Sequence, residues 1–81
     1  MTMVKKIGLI AGVGRLPVEF ARAARNKGFS VIAVAVVPGV DDELAVVTDQ
    51  LYHIGVGQLD AILTVLKKEE ITAVTMLGKV T

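Results

Sequence analysis

With 81 residues, no cysteine and a formal net charge of +1, the chain is at most one small domain, without disulfides or Cys-ligated zinc. Nine Lys and Arg against eight Asp and Glu give no basic field for nucleic acid, and 53% hydrophobic residues exclude a disordered chain. The apolar content is mostly Val, Ile, Leu and Ala, which suits strands buried on both faces.

Lys6–Ala11 reads as a first strand, closed by Gly12 and Gly14. Lys5 and Lys6 precede an apolar run of only about six residues, and a charged helix follows, so a targeting or membrane-spanning segment is not expected. Pro17 suits the first turn of a helix, where its missing N–H is no loss. That helix runs to about Lys27, with Leu16, Phe20, Ala21 and Ala24 as its inner stripe and Glu19, Arg22 and Arg25 outward. Gly28 is placed to end it.

Ser30–Val36 is a second continuous apolar strand, followed by a Pro38-Gly39 turn and one or two helical turns from Asp42. Leu51–Ile54 gives a short third strand. Gly55 and Gly57 precede a helix over Gln58–Glu70, where Leu59, Ile62, Leu63 and Leu66 form an apolar stripe. Asp60 early and Lys67 and Lys68 late favour its dipole. Ala73–Leu77 is the fourth strand.

This order predicts an α/β fold, a Rossmann-like three-layer sandwich with a four-stranded, mostly parallel sheet in spatial order 3-2-1-4. The first and fourth strands are then neighbours, which brings Gly12–Leu16 beside Gly78–Lys79 at the edge where open α/β sheets bind ligands. The fourth strand would be an exposed apolar edge, so a domain of a longer protein is expected. A domain this small buries only about 60–65% of its unfolded surface.

The turn "GVGRLP" spells G-x-G-x-x-P, with Pro17 where a dinucleotide fingerprint has its third glycine. The helix start still offers N–H groups to an anion. At the end of the second strand stand Val36, Val37 and Pro38, with no acid to hold the ribose diol of NAD. Three readings stay open: a plain structural turn, a turn holding an anion or nucleotide sugar, and a variant NAD(P) site.

Arg15 and Lys79 are candidates to pair with phosphate oxygens at that edge. His53, the only histidine, reads best as a hydrogen-bonded structural residue, and Asp41-Asp42 as a helix N-cap ahead of a metal site. Lys67, Lys68, Glu69 and Glu70 read as a solvated helix end. No Ser-His-Asp, Cys-His or paired-carboxylate set is visible, so no catalytic residue is assigned.

Three segments together carry a specific likeness: "GLIAGVGRLPVEFARAA", "IGVGQLDAILTVLKKEEITAV" and "LGKVT". In that order and spacing they resemble the N-terminal domain of the LpxI-type UDP-2,3-diacylglucosamine pyrophosphatases. Leu16-Pro17 is the discriminating pair, being regular in that family and a defect in a dinucleotide fingerprint. The likeness spans nearly the whole chain and about a third of the family's length.

The resemblance implies hydrolysis of UDP-2,3-diacylglucosamine to UMP and 2,3-diacylglucosamine 1-phosphate, a step of bacterial lipid A synthesis. It implies a divalent cation, magnesium by expectation, whose ligands lie in a C-terminal domain that the chain lacks; the chain alone would bind none and be inactive. Gly12, Gly14, Leu16, Pro17 and Gly78, with Lys79 at an Asn/Lys position, carry over as substrate-positioning residues. It further implies a cytoplasmic parent, with peripheral association at the inner membrane and homo-oligomerisation as open expectations. The rival expectation is a small non-enzymatic nucleotide- or anion-binding module.

Overall fold

A computed structural model of the chain describes residues 5–71 and 73–79. The elements run β1 (Lys6–Ala11), α1 (Leu16–Asn26), β2 (Ser30–Ala35), a 3-10 turn (Asp42–Ala45), β3 (Gln50–His53), α2 (Leu59–Lys68) and β4 (Ala73–Leu77). The strands form one sheet in the order β3-β2-β1-β4, and every pairing within it is parallel. The α/β class and the order 3-2-1-4 follow the sequence pattern; β3 starts one residue earlier than expected.

Parallel strands need crossovers, and these cover both faces. On one face Val18, Ala21 and Ala24 of α1, with Leu44 and Val47 from the 3-10 segment, pack on Leu9, Ala11, Val31 and Ala33. On the other, Ile62, Val65 and Leu66 of α2 pack on Ile32, Val34 and Val36. The result is three layers. β2 lies at the centre, buried from Val31 to Ala35.

Two apolar stripes differ from expectation. In α1 the buried residues are Pro17, Val18, Ala21 and Ala24, while Leu16 is exposed. Leu16 stands about 100° around the axis from Pro17, which carries its side chain past the end of the sheet. In α2 the inner face is Ile62 and Val65, while Leu59 and Leu63 are exposed. Val74 and Met76 of β4 are exposed as well. Because Val74 pairs with Gly8 and Met76 with Ile10, both side chains share the sheet face covered by α2. The expected apolar edge is therefore present, and α2 lies over β1 and β2 instead.

Local chemistry explains the element ends. Gly28 adopts φ +93°, and its N–H and that of Phe29 donate to the carbonyls of Arg25 and Ala24, closing α1. Asp41 caps the 3-10 turn, accepting from the Glu43 N–H at 2.9 Å. Tyr52 of β3 donates to Glu69 at 2.7 Å, and Lys6 lies 3.5 Å from the same carboxylate. This ties the end of α2 to the start of β1. The Tyr52 hydroxyl and the Lys6 ammonium hold the Glu69 carboxyl below its ordinary value.

Candidate functional site

The C-terminal ends of β1 and β4 are stitched together beyond the sheet. Gly12 N–H donates to Leu77 O at 2.8 Å, Val13 N–H to Lys79 O at 2.8 Å and Lys79 N–H to Val13 O at 2.9 Å. Val13 and Lys79 thus form a single antiparallel bridge on an otherwise parallel sheet. The approach is so close that a Cβ on Gly12 would stand 2.4 Å from Lys79 O. One on Gly78 would lie 2.8 Å from the Gly12 carbonyl carbon. Glycine at both positions is a steric requirement of the joint.

Above this joint lies a recess of about 340 Å3 lined by Val13, Gly14, Arg15, Leu16, Gly78 and Lys79. Five of the six residues singled out in the sequence line it. Gly12, the sixth, forms its base through the contact with Lys79. The N–H groups of Gly12 and Val13 are spent on the stitching and face no ligand. Among the described residues, no protein acceptor takes the N–H groups of Gly14, Arg15, Leu16 or Val18. The N-cap residue of α1 is Arg15, whose side chain caps nothing. These donors, at the positive end of a helix of 11 residues, suit an anion.

The two expected cations differ. Among the described residues the Lys79 ammonium has no carboxylate within salt-bridge reach. Arg15 is held by three carboxylates, at 2.9 Å from Glu43, 3.2 Å from Asp41 and 3.3 Å from Glu19. Arg22 also pairs with Glu43. Arg15 keeps its proton more firmly than usual for this reason, while its guanidinium holds the Glu43 carboxyl below the ordinary range. For Asp41 the Glu43 N–H lowers the carboxyl most, with Arg15 second. A guanidinium pairing with phosphate would have to leave these partners first.

Sequence reasoning missed this acidic collar. The run Asp41-Asp42-Glu43 was its signal, falling one turn after β2 at the same edge as Arg15. The same acids do not suit a metal: Asp41 and Glu43 are matched by Arg15 and Arg22, and among the described residues no group of three or more His, Cys, Asp or Glu is arranged to hold a metal ion.

Two other recesses are present. One of about 240 Å3 lies between α1 and the 3-10 segment, by Arg22, Arg25, Val46 and Val47. It is far from the strand ends, and Arg22 and Arg25 are engaged by Glu43 and by Val46 O and Asp49. The other, about 260 Å3, sits at the ends of β2 and β3. His53 lines it, exposed, and among the described residues its ring makes no hydrogen bond. The structural role expected of His53 is therefore not seen, since the end of β3 leaves the ring beyond the sheet.

An open parallel sheet in the order 3-2-1-4, with a recess at the strand ends where the chain turns from one face to the other, defines a Rossmann-like α/β domain. The family model for the LpxI N-terminal domain matches residues 6–81, and the chain belongs to that family. No curated protein matches it. Of the "LGKVT" segment, Val80 and Thr81 lie outside the described residues, as does Thr72 of the middle segment. No helix among the described residues is long and apolar enough to cross a membrane.

Proposed function

We propose that the chain is the substrate-positioning domain of a longer pyrophosphate hydrolase that splits UDP-2,3-diacylglucosamine into UMP and 2,3-diacylglucosamine 1-phosphate in lipid A synthesis. The observation that carries this reading is the recess at the β1–β4 joint. There Gly14, Arg15 and Leu16, whose N–H groups have no acceptor among the described residues, line one space together with Lys79. A pyrophosphate under attack by water needs its oxygens neutralised and its phosphorus held in line, and both are tasks for fixed amides and a cation.

Gly12 and Gly78 hold the joint, Gly14 and Leu16 present backbone donors, and Lys79 supplies charge. No described residue is placed to be a general base. The divalent cation and the groups that activate water belong to the C-terminal part of the parent. The parent acts in the cytoplasm, at the inner face of the membrane that holds its lipid substrate.

The test is release of UMP from the diacyl substrate by the full-length protein with magnesium, alongside the 81-residue chain alone. The full-length protein is expected to turn over and the chain to be silent. A full-length protein that releases no UMP refutes the reading. A second reading, a non-enzymatic anion-binding module, is favoured by the lack of any described catalytic set. It requires pyrophosphate to bind and the longer protein to leave it intact.

A further inference from the structure

The outer edge of β4 is bare: among the described residues β4 pairs only with β1. Leu77 O accepts from Gly12 N–H, and Lys79 both donates to and accepts from Val13, so these two residues turn their backbone groups toward β1. Backbone groups alternate sides along a strand. Those of Ala73 and Thr75 therefore face inward as well, and those of Val74 and Met76 face outward. An edge of this kind is a template for another strand.

Folded chains blunt such edges with charges, prolines or bulges. β4 reads AVTML, without charge or proline, and its register with β1 runs unbroken from Ala73 to Leu77. The opposite edge is guarded. There β3 has Gln50 and His53 at its ends and Asp49 ahead of it, and the 3-10 segment lies close by.

One arrangement satisfies the bare edge with this chain's own residues. An antiparallel copy centred on Thr75 sets Val74 opposite the partner's Met76, and Met76 opposite the partner's Val74. These are the residues with outward N–H and carbonyl groups, so each facing pair exchanges two hydrogen bonds. Their side chains, 47% and 67% exposed, make an apolar cross-strand pair on each side of the dyad. The flanking charges favour the same direction, because exposed Glu70 precedes β4 and exposed Lys79 follows it. An antiparallel copy brings unlike charges to each end, where a parallel copy would bring like ones.

We infer that β4 is a self-association edge, on which a second copy of this chain pairs antiparallel about Thr75 to make one continuous sheet. The interface is isologous, so it closes at two copies. Each protomer keeps its own core on both faces of its sheet, so folding and association are read separately. The pairing needs no ligand in the recess and no activity of a longer protein.

Sedimentation equilibrium of the chain, up to its solubility limit, reads the association, and circular dichroism reads the fold of each variant. The chain is expected to dimerise, with the Val74 and Met76 amides protected from solvent exchange in proportion to the dimer. Met76→Pro removes an outward N–H and no bond to β1. It is expected to weaken the dimer on the order of thirtyfold, since two hydrogen bonds are lost across the dyad. Thr75 faces its own copy, so Thr75→Lys and Thr75→Glu are each expected to be monomeric. An equal mixture of these two variants restores association, because unlike charges then meet at the dyad; a dimer built on another surface is not rescued in this way. A chain that is monomeric at every concentration, a dimer that Met76→Pro leaves intact, or a mixture that does not associate overturns the pairing. A longer protein that is monomeric with the Val74 and Met76 amides protected assigns the edge to its own continuation, and overturns the pairing too.

Discussion

The close joint between the ends of β1 and β4 makes a sharp prediction for Gly12→Ala and Gly78→Ala. The methyl of the first would stand 2.4 Å from Lys79 O and 2.7 Å from its carbonyl carbon. Those atoms are backbone, held by the bonds Val13 N–Lys79 O, Lys79 N–Val13 O and Gly12 N–Leu77 O. The methyl fits only if the two segments part and these bonds are lost. At about 1 kcal/mol net for each bond, Gly12→Ala costs about 3 kcal/mol. Gly78→Ala meets Gly12 and Val13 backbone at 2.8–2.9 Å and must also hold φ +93°. The positive φ adds about 1–2 kcal/mol, for a total of about 4–5 kcal/mol. A domain of this size has only about 4–12 kcal/mol in hand. The assay is urea unfolding followed by far-ultraviolet circular dichroism, with Gly55→Ala as the control because its Cβ meets open space. With m near 1 kcal/mol/M, Gly12→Ala lowers the midpoint by about 3 M. A Gly12→Ala midpoint equal to that of the control refutes the joint.

Leu44, fully buried beneath α1, and Met76, 67% exposed on β4, are both apolar but should respond oppositely to substitution. Leu44→Ala is expected to cost about 2–5 kcal/mol, while Met76→Lys stays within about 0.5 kcal/mol in the same urea assay. Equal losses would contradict the layering. Asp41, Glu43 and Glu69 are all held below their ordinary values of 3.8, 4.5 and 4.5. Their contribution to stability is therefore full above pH 4.5 and withdrawn as pH falls through the lowered values. An unfolding midpoint that does not drop across that acid range would rule it out. Glu43→Gln removes a carboxylate shared by Arg15 and Arg22 and leaves Arg15 fewer anions to hold it. Pyrophosphate affinity, read by calorimetry, should rise severalfold at low ionic strength, with the gain fading at high salt; an unchanged Kd at low salt refutes it.

Much of the fold was legible because each strand and helix declares itself locally. "KIGLIA" and "SVIAVA" are unbroken apolar runs, and such runs fit only strands covered on both sides. The glycines after β1 and β4 marked the edge that the recess occupies. The failures share one cause. Leu16, Leu59 and Leu63 are apolar and fall at helical spacing, but periodicity tells only which residues share a face. It does not tell where the helix ends relative to the sheet, nor which strand the helix lies over. The partners of Arg15 were equally out of reach, since Asp41 and Glu43 meet it only after β2 is laid beside β1.

The start of α1 is where local rules and stability part company. A Ser, Thr, Asp or Asn at the N-cap would add about 1 kcal/mol by satisfying a free helix donor. The chain uses that device at Asp41, ahead of a mere 3-10 turn. Before its longest helix it has Arg15, which caps nothing and is turned toward Glu43 and Asp41. Pro17, buried, fixes the helix start without filling that gap, and Gly14 at φ +119° makes the turn into the helix beside the recess that it lines. A helix start left without a side-chain cap, in a chain that caps a 3-10 turn, is what the proposed anion site would use. On that ground Leu16-Pro17 makes sense as a pair: proline secures the helix, and the exposed leucine leaves the amide edge open.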